Sequence, residues 1–276
     1  MMQKLTSLDS CMEFIHGIKD DPVYSDPMFV TPETMKSNLF DAVQSDYKSV
    51  FGVYRDEELI GLFSFTISED DRYLEMLVGF SREEDAYEEM ADYLQENFPG
   101  YSADFVFNPR NEKICAMLKK RGAAFDPEMQ KMLLTDDTFE GNTDGIEELS
   151  ERYHDQYIAI HSKDVYWTAE RIIADGRIFR VLLAIDHGTV VGYIDVTKVH
   201  DENEIFDFLV KEEYRCRGWG RKLLGKAIEA NRPKELLLFV DVDNVPALSL
   251  YRSMGFTVVE GNNSVTASWM IPGCAE

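Results

Sequence analysis

Apolar positions in the second half of the chain change their period several times, and each change marks an element. Helical spacing runs from about Ile146 to His161 and again from about Thr168 to Asp175. Arg180 to Ile185 and Val190 to Val196 are compact apolar runs around Asp186-His187-Gly188, a turn sequence that predicts a hairpin. Glu204 to Val210 predicts a third strand. After a glycine-bearing loop, Leu223, Leu224, Ala227 and Ile228 share one face of an amphipathic helix. Glu235 to Val240 reads as a buried strand. Pro246 then opens a helix, Gly255 ends it, and Phe256 supplies the apolar contact beyond a C-cap. The order is an α/β layer plan.

The first half repeats this order. Gly61 and Gly192 lie 131 residues apart and Val78 and Val210 lie 132 apart, while Gly122/Gly255 and Asn111/Asn244 are both separated by 133. A near-constant offset predicts a tandem duplication. Its seam is expected in the polar stretch TDDTFEGN, Thr135 to Asn142.

Composition narrows the possible partners. The chain has 276 residues, 31.7 kDa and 45% apolar residues, enough for two domains. Lys and Arg total 28 against 51 Asp and Glu, a net charge of −23, so nucleic acid and anionic membrane are poor partners. Residues 1–140 hold 13 basic and 29 acidic side chains, leaving 15 and 22 for the rest, so the acidity is concentrated in the first half. Cys11, Cys115, Cys216 and Cys274 stand far apart without a CxxC pair, which predicts neither a disulfide framework nor a zinc cluster and fits a reducing cytoplasm. The start, MMQKLTSLDSCMEF, has no apolar core of a signal peptide, and apolar runs such as Leu236 to Val240 are strand-sized, so neither a leader nor a membrane span is expected.

Five of the 15 basic residues of the second half crowd one segment: Arg215, Arg217, Arg221, Lys222 and Lys226. Gly218 and Gly220 within it permit a tight turn and close backbone approach, so successive N–H groups and the start of the next helix can face a phosphate. No Gly-Lys-Ser/Thr follows, and Leu223 stands where a dinucleotide loop has its third glycine.

These residues resemble the GNAT superfamily of acyl-CoA-dependent N-acyltransferases. Its loop signature, Gln/Arg-x-x-Gly-x-Gly/Ala, matches Arg215-Cys216-Arg217-Gly218-Trp219-Gly220, and the likeness continues through Val210, Asn244, Ala247, Tyr251 and Gly255-Phe256. Glu212 departs from the proline common at that position. The resemblance implies an α/β fold of two tandem GNAT-like domains, each a mixed, mostly antiparallel central sheet flanked by helices. It covers residues 145 to 265 and, more faintly, the first half. It further implies that the backbone of Arg217 to Arg221 holds the CoA pyrophosphate. The strand end at Leu209 and Val210 splays to admit pantetheine, with the Val210 N–H polarising the thioester. Asn244 resembles the residue that bonds the pantetheine arm, and Tyr251 the phenol that protonates the departing thiolate.

Attack by an amine on a thioester needs a base. Asp207 and Glu204, on the strand leading to Val210, are the two candidates, with Asp207 favoured. Strict alternation groups Asp207 with Ile205 and Leu209, and Glu204 with Phe206 and Phe208; a strand bulge decides which face meets the cleft. Each assignment has a packing alternative: Tyr251 as a core aromatic, Asn244 as a turn residue before Pro246, and Asp207 as a structural carboxylate. His161, with Asp164 nearby, reads as a surface or capping histidine, and Tyr166 and Trp167 as acceptor-lining or core aromatics.

In the first half the loop position carries Glu83-Glu84-Asp85-Ala86-Tyr87-Glu88, without glycine and with four carboxylates, and Leu118 stands opposite Tyr251. Residues 1–138 are therefore expected to be a degenerate copy lacking the pyrophosphate loop, shaping the acceptor cleft or mediating dimerisation, and 139–276 the catalytic domain. The expected function is transfer of acetyl from acetyl-CoA to a primary amine in a ternary complex, without a metal. Polyamines, aminoglycoside-like amines and protein amines are the cationic acceptors considered. A non-catalytic acyl-CoA sensor on the same fold is the alternative.

Overall fold

The structure is a computed structural model that describes residues 1–25, 32–163 and 167–273; Asp164, Tyr166 and Cys274 lie outside them. The chain forms two compact units, Met1–Met129 with Glu260–Glu276, and Gln130–Val259. Among the described residues no helix is long and apolar enough to cross a membrane.

The first unit runs β1 (Met2–Lys4), α1 (Met12–Ile18), α2 (Pro32–Met35), β2 (Lys48–Arg55), β3 (Glu58–Ser68), β4 (Tyr73–Phe80), α3 (Glu84–Asn97), β5 (Ser102–Phe107), α4 (Glu112–Lys120) and β6 (Ala124–Phe125). Strands β1 to β5 lie in that order, antiparallel except for the parallel pair β4 and β5.

The second unit runs β7 (Met129–Leu134), β8 (Ile146–Glu148), α5 (His154–Ile160), α6 (Ala169–Ala174), β9 (Phe179–Asp186), β10 (Thr189–Thr197), β11 (Glu202–Val210), α7 (Trp219–Asn231), β12 (Glu235–Asp241) and α8 (Val245–Ser253), and β13 (Phe256–Met270) closes the chain. Its sheet order is β8-β9-β10-β11-β12-β7, with β8 to β11 antiparallel and β11 and β12 a parallel pair. The hairpin turn has both His187 (φ 47°) and Gly188 (φ 82°) in the left-handed region, as a tight primed turn requires.

Two expectations change. The helix expected from Ile146 begins only at His154, because Ile146–Glu148 form an edge strand on β9 (Ile146 opposite Ala184) after the left-handed Gly145. The compact units also cut the chain elsewhere than at 138/139. Gln130–Leu134 lie beside β12, whereas Val265–Met270 pair with β5. Period-2 burial explains the second displacement: Val265, Ala267, Trp269 and Ile271 all enter the core of the first unit.

Each sheet is covered on two faces. In the second unit Leu223, Leu224, Ala227 and Ile228 of α7 and Tyr251 of α8 cover one face, and Tyr157 of α5 and Ile172 of α6 the other. Besides an irregularity in each hairpin, β2–β3 and β9–β10, the register carries a bulge in the following strand of each unit at the same place. Ser64 pairs with Val78 and Phe65 with Met76, skipping Leu77; Asp195 pairs with Asp207 and Val196 with Ile205, skipping Phe206. Parallel pairing ends at the same level, at Met76 with Phe105 and Ile205 with Leu238. Val78 therefore corresponds to Asp207, 129 residues on, and not to Val210. Past the bulge, Ser102 and Glu235, which open the next strands, are 133 apart, so four residues are inserted between β11 and β12, where the glycine loop lies.

Gly192 lets β10 approach the end of β11: a Cβ there would lie 2.6 Å from the Leu209 carbonyl oxygen and 3.2 Å from Val210 Cα. Gly192→Ala should destabilise the protein by about 1–3 kcal/mol in urea unfolding, since backbone on both sides must shift. An unchanged midpoint would contradict this close approach.

Candidate active site

The β11–α7 connection is an anion cradle in form. A 3-10 turn over Glu212–Tyr214 leads to Cys216 (φ 57°) and Gly218 (φ 86°), both left-handed. Gly218 caps α7 without a side-chain bond, and no acidic residue stands in the first turn. The first N–H groups of α7 thus lack both an internal acceptor and a neutralising carboxylate. Arg215 Nε donates to the Val210 carbonyl at 3.0 Å, Arg217 lies over the Tyr214 ring, Arg221 donates to Ser253 Oγ at 2.6 Å, and Lys222 donates to the Asp144 carbonyl at 3.0 Å. Among the described residues none of these four pairs with a carboxylate; Lys226 does, with Glu229. Gly220 seats the helix on β11, since a Cβ there would touch Leu250 at 3.3 Å and the Phe208 ring at 3.4 Å. Trp219 instead packs into the core under Lys222.

In the first unit only Ser81–Glu83 separate β4 from α3. Glu83 is the N-cap, Glu84 and Asp85 occupy the first turn, and Arg55 bridges Glu83 and Asp85. That helix dipole is met by its own carboxylates. Leu118 is fully buried in the apolar core.

Beyond the bulge, β11 from Phe206 to Val210 has no strand partner on the β12 side among the described residues. Tyr251 is 6% exposed, with its ring 6.3 Å from that of Phe208 and 5.9 Å from that of Phe256. Its hydroxyl has no hydrogen-bond partner among the described residues. Burial, then the Asp207 charge, pushes its pKa upward, so it stays a neutral proton donor. Asn244 caps α8, its Oδ1 accepting from Ala247 N at 3.2 Å, as Asn111 caps α4. Asn244 thus serves as the N-cap of α8, with its amide donors free of an acceptor among the described residues.

The bulge also settles the faces. Ile205, with Phe208 and Val210, packs toward α7 and α8, whereas Leu209 packs toward α5 and α6 with Asp207 beside it; strict alternation fails at Phe206. Phe206 meets Phe179, which also stacks edge-on against Trp167. Glu204, half-buried, has its pKa raised to about 7 by burial, opposed by Lys131.

Asp207 joins a polar array. Its Oδ2 accepts from Tyr193 Oη at 2.6 Å, its Oδ1 accepts from Phe208 N at 2.7 Å, and His161 Nε2 lies 3.7 Å from Oδ2. The same Nε2 lies 3.0 Å from Asp195 Oδ2, which also accepts from Tyr157 Oη at 2.8 Å. His161 does stand at the C-cap of α5, yet it is 4% exposed and Asp195 is 0% exposed, so the surface reading of this histidine is corrected. Burial raises the Asp195 pKa to about 6. Burial lowers that of His161, but its bonds to Asp195 and to the Ser162 carbonyl outweigh this and the net shift is upward. Asp195, Tyr193 and Tyr157 escaped the sequence analysis. The available signal was a carboxylate inside the run Val190–Val196, a buried charge that must find partners. The matching first-unit positions hold Leu62, Ser64 and Val78 in place of Tyr193, Asp195 and Asp207.

Residues 146–256 match the sequence model of the acetyltransferase (GNAT) family. This segment is a GNAT domain. N-alpha-acetyltransferase RimI of Mycobacterium tuberculosis is 38% identical over 73 residues, covering 25% of this chain and 46% of that protein. Mycothiol acetyltransferase of Corynebacterium glutamicum is 33% identical over 86 residues, covering 30% of each. The chain thus spans less than half the length of these curated relatives. A tandem GNAT protein from the clavulanic acid biosynthesis pathway superposes over 100% of this chain and 99% of its own, with TM-score 0.61 and 11% identity. A GCN5-related N-acetyltransferase from Sphaerobacter thermophilus gives TM-score 0.60 at 15% identity, over 84% and 83%. The chain accordingly has the tandem GNAT fold, and the basic loop, Tyr251 and the polar array all lie within or at the edge of strands and helices of its GNAT domain.

Folding raises the pKa of both His161 and Asp195, so the array takes up protons as the GNAT domain folds. Its stabilisation is fullest below the ordinary carboxylate value and is lost as pH rises through about 6 for Asp195, and higher for His161. Wild type should therefore lose stability relative to Asp195→Asn between pH 5 and pH 8, at up to about 1.4 kcal/mol per pH unit for each proton. Denaturant unfolding of both proteins across that range measures it; a constant difference would count against the shifts.

Proposed function

We propose that the GNAT domain transfers an acetyl group from acetyl-CoA to a primary amine by direct attack in a ternary complex. The observation that carries this reading is the contrast between two helix starts: α7 presents free N–H groups beside four cations unpaired with carboxylates, whereas α3 is closed by its own acids. A diphosphate fits the first and is repelled by the second.

The N–H groups from Arg217 to Arg221 hold the diphosphate, with Arg215 and the Cys216 turn shaping the cradle. The unpaired edge of β11 bonds the pantetheine arm, helped by the free amide of Asn244 and the small Ala247. Leu209 and Val210 end that edge, and the Val210 N–H polarises the thioester carbonyl. Asp207 accepts the proton of the incoming ammonium; Glu204, with its raised pKa, is the second candidate base. Tyr251, held neutral, protonates the CoA thiolate. No covalent acyl-enzyme is formed, and Cys216 is in the cradle, away from a nucleophile's place. Carboxylates on the acceptor side suit a cationic amine, in keeping with relatives named for N-alpha-acetyl and mycothiol acetyl transfer. The first unit is a copy whose cofactor site is lost.

CoA-thiol release with acetyl-CoA and a panel of polyamines, amino sugars and peptide amines tests the activity; tight CoA binding without release would instead make the protein a sensor. Tyr251→Phe should lower kcat by about 10–100-fold and leave CoA affinity within a factor of about two. Equal losses in both would remove the acid role. Gly218→Glu should weaken CoA binding by at least about tenfold in calorimetry, whereas Gly218→Asn, which tolerates the left-handed backbone, should keep most of it. Unchanged affinity in Gly218→Glu would show that the loop is not the cradle.

A further inference from the structure

The geometry points to His161 and Asp195 as a proton relay behind Asp207, carrying the proton of the amine away from the acceptor site. This rests on the acetyl-transfer reading.

The imidazole has one committed nitrogen and one working nitrogen. Nδ1 lies 2.8 Å from the Ser162 carbonyl oxygen, an acceptor only, so Nδ1 carries a hydrogen. Nε2 faces two carboxylates, Asp195 at 3.0 Å and Asp207 at 3.7 Å. A proton on Nε2 is therefore hydrogen-bonded to Asp195, with Asp207 in ion-pair range and a shift of under about 1 Å from a hydrogen bond of its own. Tyr157 and Tyr193 anchor the carboxylates from the other side, one each, and cannot take the proton, since burial pushes both phenols upward in pKa. The His161 ring stacks on Tyr193, with centroids 5.1 Å apart, which fixes its plane.

The array runs from accessible to enclosed. The Asp207 side chain is 26% exposed, and those of His161 and Asp195 are 1% and 0% exposed. Asp195 Oδ1 is buried with no hydrogen-bond partner among the described residues, an unfavourable place for a full negative charge and a favourable one for an added proton. Among the described residues the groups facing the imidazole are Tyr157 from α5, Tyr193 and Asp195 from β10 and Asp207 from β11, with Glu170 from α6 acting at longer range and itself paired electrostatically with Lys163.

The steps balance. The ammonium gives one proton to Asp207. Nε2 first gives its own proton to the Asp195 carboxylate, its freed lone pair then takes the proton from Asp207, and the array ends one proton richer. The neutral amine then bonds to the carbonyl carbon and the C–S bond breaks. Tyr251 gives its proton to sulfur and recovers the second N–H proton through water, and Asp195 releases its proton to solvent before the next turnover. The relay spares Asp207 from holding the proton beside the reacting nitrogen.

Three measurements test this. Side-chain nitrogen NMR of the intact wild-type protein, which has five histidines, should show one imidazole protonated on both nitrogens above the ordinary histidine range, and this state should be lost in Asp195→Asn. A neutral His161 at pH 7 would overturn the relay without any variant needing to fold. In kinetics, His161→Gln and Asp195→Asn should each lower kcat by about 10–100-fold with KM for acetyl-CoA unchanged, and Asp195→Asn should shift the acid limb of the kcat profile. Thiol release by the wild type with unshifted kcat and profile in both variants would sink the relay alone, whereas no release by the wild type with any amine would sink the acetyl-transfer reading itself. Stoichiometric divalent metal in the purified protein would also overturn it, because a bound cation would occupy the place of the shared proton.

Discussion

One extra residue in β11 governs the site. By standing outside the ladder with β10, Phe206 breaks alternation, so Ile205 stays in the core under α7 while Asp207 turns to the side of α5 and His161. The same irregularity coincides with the last parallel pair, Ile205 with Leu238, after which the backbone of β11 keeps its hydrogen-bonding groups for something other than β12. A regular strand would have given a carboxylate pointing into apolar packing and a closed edge. The bulge supplies an open edge and a turned acid together.

The first unit shows that this device belongs to the fold and not to the chemistry. It has the same bulge at Leu77, the same end to parallel pairing and the same asparagine cap on the following helix. What it lacks is local: the inserted loop, a helix start clear of carboxylates, the phenol and the array. The GNAT domain thus differs from its sister at the points where charge must be handled, and resembles it where only packing matters. The two share one backbone plan.

Much of the plan was legible because its signals are local. Period and turn residues located β9 to β12, α7 and α8, and the Arg215–Arg221 segment declared itself by charge density and glycine spacing. Two kinds of information were not. The bulge depends on how β11 registers against β10, so Val78 was matched to Val210 although its partner across the sheet identifies it with Asp207. The fate of the terminal strand depends on which sheet edge it meets: the alternation from Val265 to Ile271 announces a half-buried strand but cannot say which core receives it. His161 was misjudged for the same reason, since its burial comes from β10 and β11, some 34 and 46 residues away in the chain.

The buried array bears on function through its cost. Two carboxylates and an imidazole packed against apolar side chains are usually less favourable than well-packed aliphatic residues of similar size. The fold accepts the cheaper solution, as Leu62, Ser64 and Val78 fill the matching positions next door, with Leu62 and Val78 in an apolar cluster. Stability therefore gives no reason for Tyr193, Asp195 and Asp207 to stand where they do. Asp195 hydrogen-bonds the His161 Nε2, Tyr193 hydrogen-bonds the partly exposed Asp207, and only 3.7 Å separates Nε2 from Asp207, so the array links a buried imidazole to the open strand edge. Asp195 Oδ1, buried and without a protein partner among the described residues, lies at the enclosed end of this array.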